Sequence, residues 1–241
     1  MNIALVGYGK MGKAVEQIAT QRGHIITFRI DRDRFGEIER INPTNTDVVI
    51  DFSHPQILLP NVEKLLQLNL PIVVGTTGWY GSLPDIQKMV FEKQGAFLYA
   101  SNFSIGVNLF FKINSFLAQF MDKHPQYDCF VEERHHKHKM DAPSGSALTL
   151  ANGILAHLKR KKCIILANEL TNRHPTDDEL SLAITRAGEI TGQHRVVYTS
   201  PIDKIEILHE AYSREGFAIG ALTAAEWLHG RTGFFEFAEV L

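Results

Sequence analysis

The amino-terminal part of the chain alternates between short apolar runs and longer amphipathic segments. Five runs of strand length predict strands over 3–6, 25–30, 47–52, 71–74 and 96–100. Between most of them, apolar residues recur every three or four positions, which predicts helices that bury one face. Strands that alternate with helices are typical of a parallel sheet covered on both sides. This part of the chain therefore predicts an α/β domain.

The pattern changes after Gly106. Residues 107–120 form a strongly apolar helical pattern, and a second one runs from Ser144 to Leu158. Four strand-like runs follow near 164–166, 180–184, 195–198 and 205–209, and a last helical pattern covers 217–228. This order predicts an α+β second domain with an open mixed sheet. We expect domains at 1–103 with 214–241 and at 104–213, and a homo-oligomer formed through the open sheet face.

Composition and charge narrow the classes of partner. The chain has 241 residues, a formal net charge of −2 and a sequence pI near 6.6. It lacks the basic balance that nucleic-acid binding requires, and no apolar run approaches the roughly 18 residues of a membrane-spanning helix. The chain starts in a predicted core strand, without the charged segment of a signal peptide. We expect a cytoplasmic protein with neither a nucleic acid nor a membrane as partner.

A glycine-rich turn joins the first predicted strand to the first predicted helix. It comprises Gly7, Tyr8, Gly9, Lys10, Met11 and Gly12. In this context the glycines let the backbone approach a pyrophosphate, whose charge lies at the helix N-terminus. Asp31 follows the second strand and can bind ribose hydroxyls, and Arg32 can hold the 2′-phosphate of NADP. The turn predicts a Rossmann-like domain that accepts NADH, NADPH or both.

Three further loops follow predicted strands and are rich in small or hydrogen-bonding residues. They are Phe52-Ser53-His54-Pro55, Gly75-Thr76-Thr77-Gly78 and Ser101-Asn102-Phe103-Ser104. In open α/β sheets, ligands bind beyond the carboxyl ends of the strands. Each loop alone is also explained as a tight turn, but together they predict one edge that binds the cofactor.

A run of titratable residues lies between a predicted strand end at 129–131 and a predicted helix. It reads Glu132-Glu133-Arg134-His135-His136-Lys137-His138-Lys139-Met140-Asp141-Ala142-Pro143-Ser144-Gly145-Ser146. Pro143 and Ser144 form a helix-start signature, so the N–H groups around Gly145 offer a seat for a carboxylate or phosphate. Loops held by rigid elements often carry chemistry, which makes this run the candidate active site.

Seven segments resemble the dihydrodipicolinate reductase family, also called the 4-hydroxy-tetrahydrodipicolinate reductases. They are G-Y-G-K-M-G, D-F-S-H-P, G-T-T-G-W, S-N-F-S-I-G-V-N, H-H-K-H-K-M-D-A-P-S-G-S-A, R-A-G-E-I-T-G-Q-H and S-R-E-G-F-A-I-G-A. The resemblance spans nearly the whole chain. It implies a homotetrameric oxidoreductase of lysine and diaminopimelate biosynthesis, which reduces 4-hydroxy-tetrahydrodipicolinate, a small dicarboxylate, to tetrahydrodipicolinate with NADH or NADPH.

The resemblance also implies roles for individual residues. His135 and Lys139 would donate a proton after hydride transfer from nicotinamide C4, and because histidine titrates near neutrality, His135 can do so at physiological pH. The substrate carboxylates would be held by His136, Lys139, Ser144, Gly145 and Ser146. The cofactor would be held by the glycine turn, Asp31, Arg32, Phe52, Gly75, Thr76, Thr77, Ala100, Ser101, Asn102 and Phe103.

Three other interpretations stay open from the sequence. His135, His136 and His138 could ligate a metal such as zinc, although the interleaved lysines would repel a cation. A nucleotide-binding domain alone carries no reaction, so the chain could be a sensor that binds NAD(P)H without turnover. A related oxidoreductase could act on another imine or on an amino acid.

Overall fold

The computed structural model describes residues 1–31, 33 and 35–241, and these form two compact units. The first unit contains Met1–Ile105 and Arg214–Leu241, and the second contains Gly106–Ser213. Each unit is built on its own β-sheet, with six strands in the first and five in the second. Within the described residues, no helix is both long and apolar enough to cross a membrane.

The first unit is a parallel sheet flanked by helices. Its strands are β1 (Asn2–Val6), β2 (Ile25–Ile30), β3 (Val48–Asp51), β4 (Ile72–Val74), β5 (Ala96–Tyr99) and β11 (Gly233–Glu236). Its helices are α1 (Lys10–Gln21), α2 (Pro55–Gln67), α3 (Leu83–Lys93) and α6 (Glu215–Leu228), with 3₁₀ helices at Phe35–Arg40, Tyr80–Ser82 and Phe237–Glu239. The strand order is β11-β5-β4-β3-β1-β2, and neighbouring strands are parallel. The predicted Rossmann-like sheet is confirmed.

Alternate residues of the strand β1 serve two separate cores. Ile3 and Leu5 pack in a cluster with residues of α1 and α6, whereas Ala4 and Val6 pack in a cluster with residues of α2 and α3. Successive side chains of a strand point to opposite faces, so a strand buried on both sides reads as a continuous apolar run. These two cores hold the parallel strands in register, and their carboxyl ends form one edge of the sheet.

Two elements of the first unit add to the sequence prediction. The pattern does not predict β11, which is only four residues long and pairs in parallel with β5 at the sheet edge. Between β2 and β3 the chain forms the 3₁₀ helix Phe35–Arg40, and Ile38 and Ile41 are buried there. This 3₁₀ helix lies on the α2 side of the sheet, because both isoleucines belong to the core cluster that contains residues of α2.

The second unit has a mixed sheet, as predicted. Its strands are β6 (Asp128–His135), β7 (Cys163–Leu166), β8 (Glu179–Arg186), β9 (Gln193–Thr199) and β10 (Lys204–Glu210), in the order β10-β9-β6-β8-β7. Its helices are α4 (Ile105–Met121), which starts in the first unit, and α5 (Gly145–His157), with a 3₁₀ helix at Ala167–Glu169. The central strand β6 is parallel to β8 and antiparallel to β9. The predicted α+β architecture is therefore confirmed.

One face of this sheet packs against α5. Val131, Leu182 and Val196, from three neighbouring strands, lie in one buried cluster with Leu150 and Ile154 of the helix. This cluster fixes α5 relative to β6. Because the chain runs from β6 into α5, the packing also fixes where the segment between them begins and ends.

The strand β6 extends further than the sequence pattern predicts. The predicted strand ends at residue 131, but pairing with β8 and β9 continues through Arg134, and His135 still pairs with Arg186. Polar side chains hide this part of the strand from a pattern of apolar residues. His135 is therefore the last residue of a central strand and not a loop residue, which holds its backbone firmly.

Candidate active site

The end of β6 carries a buried acid and a buried histidine. Glu133 and His135 are two positions apart, so they share the sheet face that meets α5. They are 1% and 7% exposed, and His135 Nδ1 lies 3.5 Å from Glu133 Oε2. Two neighbouring strands add Arg186, whose Nη2 is 2.7 Å from Glu133 Oε1, and His194, whose Nε2 is 3.7 Å from Glu133 Oε2. No pattern in the sequence predicts a role for Glu133, Arg186 or His194.

The same carboxylate reaches the start of α5. The backbone N–H of Ser144 donates to Glu133, with the nitrogen 3.1 Å from Oε1 and 3.2 Å from Oε2. Ser144 caps the helix, since its Oγ accepts from the N–H of Ala147 at 3.2 Å. Glu133 thus ties the sheet to the helix N-terminus.

The predicted carboxylate-binding site lies at this helix start, and its residues Ser144, Gly145 and Ser146 have different surroundings. Ser144 is 3% exposed and its N–H and Oγ are both engaged, so it holds the seat in place. Gly145 is the first residue of α5. Apart from its chain neighbours and the backbone of the helix itself, no atom of the described residues lies within 4 Å of where a Cβ would stand. Its amide and that of Ser146 belong to the first turn, where the helix dipole favours an anion. The seat is open at Gly145.

Two more predicted residues lie between β6 and α5. His136 is fixed through its backbone, whose N–H donates to the carbonyl of Ile190 at 2.7 Å. The Lys139 ammonium lies 2.8 Å from Asp141 Oδ1, with 23% of its side chain exposed. Lys139 therefore places a positive charge in the second unit on the same short connection as His135 and the helix start.

Burial and neighbouring charges set the protonation states. Burial raises the pKa of Glu133, but hydrogen bonds with His194, Ser144 and Arg186 outweigh it and lower that pKa to about 2. Burial lowers the pKa of His135 to about 4, helped by His194, Lys139 and Arg186 and opposed by Glu133. In the free protein this direction runs against the ordinary near-neutral value on which the sequence expectation for His135 rests. His135 is neutral at pH 7 and needs added negative charge nearby to become a proton donor.

These pKa values predict that acid weakens the fold. His135 is lowered from 6.5 to about 4 and Glu133 from 4.5 to about 2, so both release protons more readily when folded. The unfolded chain then binds more protons, and the free energy of unfolding should fall as pH drops from 6.5 to about 2. Urea unfolding followed by circular dichroism across this range measures the slope. Glu133→Gln should show a shallower slope below pH 4.5, and equal slopes would contradict the assignment.

The structure brings together a different set of residues from the three histidines of the metal-site hypothesis. Among the described residues, the potential ligand atoms that lie within 4.8 Å of one another belong to Glu133, His135 and His194, and not to His136 or His138. The Arg186 guanidinium already contacts this carboxylate at 2.7 Å. A guanidinium supplies the positive charge that a cation would otherwise bring, so the chemistry of this cluster favours an internal ion pair.

The glycine turn of the first unit is shaped as a dinucleotide site needs. Gly7 has φ +88°, and a Cβ there would stand 2.3 Å from the backbone of Phe52. A Cβ on Gly12 would stand 2.6 Å from the carbonyl oxygen of Gly7, whereas the space beside Gly9 is open. α1 begins directly after Gly9, at Lys10. The turn thus offers bare backbone and a helix N-terminus to a pyrophosphate, so these residues fit the predicted cofactor.

A cavity of about 260 Å³ lies beside the turn within the first unit. It is lined by Met11, Phe52, Gly75, Ala100, Ser101, Asn102, Phe103, Arg214 and Phe217. The first seven are predicted cofactor residues, which the structure brings together. Arg214 and Phe217, at the start of α6, lie far away in the sequence and were missed as site residues, although the S-R-E-G-F segment contains both.

A buried acid that the sequence pattern does not predict as a site residue supports this edge. Asp51 ends β3, is 1% exposed, and burial raises its pKa while hydrogen bonds with Ser53 and Thr76 oppose the rise. Its Oδ1 accepts from Ser53 N at 2.9 Å and from Thr76 Oγ1 at 2.7 Å. The Thr76 side chain is therefore turned inward to fix two loops, and the neighbouring Thr77 is exposed.

The adenosine end of the predicted site is described in part. Asp31 directly follows β2 and is partly buried, and Arg32 lies outside the described residues. Tyr8 of the glycine turn donates to Glu16 of α1, which also pairs with Arg29 of β2. This network joins the turn to the strand that leads to Asp31.

Comparison with known proteins identifies relatives over the whole chain. Residues 1–103 match the family model described as Dihydrodipicolinate reductase, N-terminus, and residues 106–241 match its C-terminus counterpart. A 4-hydroxy-tetrahydrodipicolinate reductase of Christiangramia forsetii is 42% identical over 241 residues, which is 100% of this chain and 98% of the relative. One from Neisseria gonorrhoeae is 36% identical over 198 residues, covering 81% of this chain and 72% of the relative.

Solved structures share the fold. A dipicolinate-bound dihydrodipicolinate reductase from Paenisporosarcina sp. TG-14 has a TM-score of 0.80 at 20% identity, covering 100% of this chain and 99% of that one. A C. glutamicum DAP dehydrogenase in complex with DAP has a TM-score of 0.53 at 15% identity, covering 99% and 93%. At these identities the similarity concerns the architecture alone.

Proposed function

The chain belongs to the dihydrodipicolinate reductase family, and on that premise we propose how its residues perform the NAD(P)H-dependent reduction of 4-hydroxy-tetrahydrodipicolinate to tetrahydrodipicolinate. This oxidoreductase step belongs to lysine and diaminopimelate biosynthesis. The observation that carries the proposal is the segment from His135 to Ser146, which joins a buried histidine, a lysine and an open helix N-terminus. The lysine and the helix N-terminus can bind the carboxylates of a dianionic substrate, and the histidine can donate a proton to it.

The first unit binds NADH or NADPH. The backbone of the glycine turn holds the pyrophosphate at the start of α1, and Asp31 binds the adenosine ribose. The loops around Gly75 and Asn102 line the cavity next to the turn and hold the nicotinamide end. When bound, the nicotinamide supplies the hydride from its C4.

The second unit binds the dicarboxylate. The amides of Gly145 and Ser146 receive one carboxylate at the N-terminus of α5, and Ser144 keeps that turn in place through its cap and its bond to Glu133. Lys139 provides the remaining positive charge, and His136 adds a hydrogen-bonding side chain. The substrate carboxylate competes with Asp141 for the Lys139 ammonium.

Loss of the 4-hydroxyl group as water gives the conjugated cyclic imine that accepts the hydride. His135 and Lys139 then supply the proton that completes the reduction. In the free protein His135 is neutral, because burial and nearby cations lower its pKa to about 4. A bound dianion adds negative charge and raises the pKa of an imidazole, so substrate binding itself converts His135 towards the protonated donor. The Lys139 ammonium interacts electrostatically with His135, so we assign the proton donation to the two residues together.

Oxidation of NADH and of NADPH tests the proposal. The protein is mixed with each cofactor and with freshly made product of the aldolase-type condensation of pyruvate with aspartate semialdehyde, and the loss of reduced-nicotinamide absorbance is followed. We expect oxidation with both cofactors. Cofactor binding without oxidation would overturn the proposal in favour of a sensor or of an enzyme for another imine.

Arg32 should set the preference between the two cofactors. Its guanidinium would pair with the 2′-phosphate, so Arg32→Ala should raise the Kd for NADPH by roughly tenfold or more and leave that for NADH nearly unchanged. Fluorescence titration with each cofactor measures both values. Arg40→Ala, an exposed arginine of the following 3₁₀ helix, is the control. An unchanged NADPH-to-NADH ratio in Arg32→Ala would show that Arg32 does not reach the phosphate.

We also propose that the enzyme is a cytoplasmic homotetramer that assembles through the open face of the second sheet. Residues next in sequence to the core positions point to this face, and they include Phe130 and Leu208. Leu208 is 51% exposed, and apolar side chains on an uncovered sheet invite a copy of the same surface. Light scattering should give the mass of four chains, and a monomer would contradict the proposal.

A further inference from the structure

Glu133 lies at the centre of the buried cluster, yet it has no part in the proposed chemistry. Its Oε1 is bound by the Arg186 guanidinium at 2.7 Å and by the Ser144 N–H at 3.1 Å. Arg186 in turn donates to the carbonyl of Asp141 at 2.6 Å. Contacts from a strand, a helix cap and a loop therefore fix the plane of this carboxylate. Its Oε2 lies 3.2 Å from the same Ser144 nitrogen and faces the two imidazoles.

The ring of His135 is oriented by what lies on each side. Its Nδ1 is fully buried, makes no hydrogen bond among the described residues, and faces Glu133 Oε2 at 3.5 Å. Its Nε2 faces Gly192, where a Cβ would stand 3.2 Å away. The two nitrogens therefore have different surroundings: Nδ1 faces a fixed anion, and Nε2 faces a position that has no side chain.

We propose that Glu133 is the positioning residue for His135: it holds the proton of Nδ1, makes Nε2 the nitrogen that delivers a proton to substrate, and stabilises the imidazolium. The inference rests on the proposed role of His135 as a proton donor. A catalytic hydrogen bond is often long in the free protein and tightens in the complex, so the 3.5 Å separation shortens as the ring becomes charged.

Electrostatics support this role, because the other neighbours of His135 act against its charged form. His194 of β9, Arg186 of β8 and Lys139 of the loop all lower the pKa of His135, as does burial, and Glu133 raises it. On β10, His209 also interacts with His194. Without the carboxylate, a bound dianion alone would have to stabilise an imidazolium among these groups.

The pH dependence of kcat tests the inference in the full-length protein. In the wild type, kcat should fall as pH rises through the pKa of His135 in the substrate complex. In Glu133→Gln the fall in kcat should begin about one pH unit lower than in the wild type. At pH values above the wild-type pKa, the kcat of the variant should be about tenfold lower than that of the wild type. Glu132→Gln is the matched control: Glu132 is on the same strand, on the opposite face, and pairs with Arg195. It should keep the wild-type profile.

A structural role would give a different result. If Glu133 only held the fold together, Glu133→Gln would lose kcat equally at every pH, and this outcome would overturn the inference. An inactive wild type would instead refute the proposed function. A second measurement is independent of both activity and the variant's stability: ¹⁵N NMR of His135, assigned by comparison with His135→Ala. We expect the Nδ1–H tautomer in the free wild type, and the Nε2–H tautomer would overturn the inference.

Discussion

His135→Ala should lower kcat by roughly 10²–10⁴-fold, the usual contribution of general acid catalysis, and leave the Kd for NADH unchanged. The side chain is buried in the second unit, whereas the glycine turn and its cavity belong to the first, so the substitution removes a proton donor without touching the predicted cofactor residues. Steady-state kinetics with NADH, together with fluorescence titration of the cofactor, separates the two effects.

His138→Ala is the matched control for this experiment. His138 lies on the same connection but is exposed, and it is not among the groups that set the pKa of His135. It should retain nearly full activity. If both variants lose NADH binding equally, the division between a cofactor unit and a proton-donating unit is wrong. If His135→Ala keeps wild-type kcat, Lys139 alone delivers the proton.

The predictable part of the fold is the part with a regular apolar period. β1 to β5 are short apolar runs separated by helical patterns, and runs of this kind specify a parallel sheet from local sequence alone. β11 was not predicted because four residues are too few to show a strand pattern. Its position beside β5 is set by tertiary contacts. The last residues of β6 were not predicted as strand for another reason. They are polar residues of the candidate site, so they break the alternation of apolar and polar positions.

The predictable part of the site is the part that is contiguous in sequence. His135, Lys139 and the start of α5 stand within one short segment, so their chemistry can be read directly. Arg186 and His194 reach Glu133 only through the register of β6 with β8 and β9, which no single sequence displays. For the same reason, the sequence does not predict that Arg214 lines the cavity beside the glycine turn or that Asp51 holds two loops of the first unit. The sequence also does not show that burial lowers the pKa of His135, because burial depends on the fold.

Asp51 and Glu133, the two acids that the sequence does not predict as site residues, have similar structural roles. Asp51 fixes two loops of the first unit through Ser53 and Thr76, and Glu133 fixes the helix cap and a histidine of the second. Each is nearly inaccessible to solvent and satisfied by several donors, as a buried carboxylate must be. The predicted ligand-binding residues are therefore held by carboxylates that have no predicted ligand contact, so substitutions at these acids should affect function through geometry.

Lys139→Ala should raise the KM for the dicarboxylate by about 10–100-fold, the range expected for losing a hydrogen bond to a charged group, and should also lower kcat. The ammonium both attracts a substrate carboxylate and belongs to the proton-donating pair. Its loss also removes a positive charge that lowers the pKa of His135, so the remaining activity should extend to higher pH. Initial rates across substrate concentration and pH measure all three effects.

Two comparisons make this prediction specific to the position of the charge. Lys137→Ala removes an exposed ammonium two residues away and should leave KM within about twofold of the wild type, because exposed charges are screened. Lys139→Arg keeps the charge and should recover much of the lost affinity. The double variant His135→Ala with Lys139→Ala should lose less kcat than the product of the two single losses, because residues that act as one unit are not additive. Full multiplicativity would mean that the two side chains act in separate steps, and the shared proton donor would have to be abandoned.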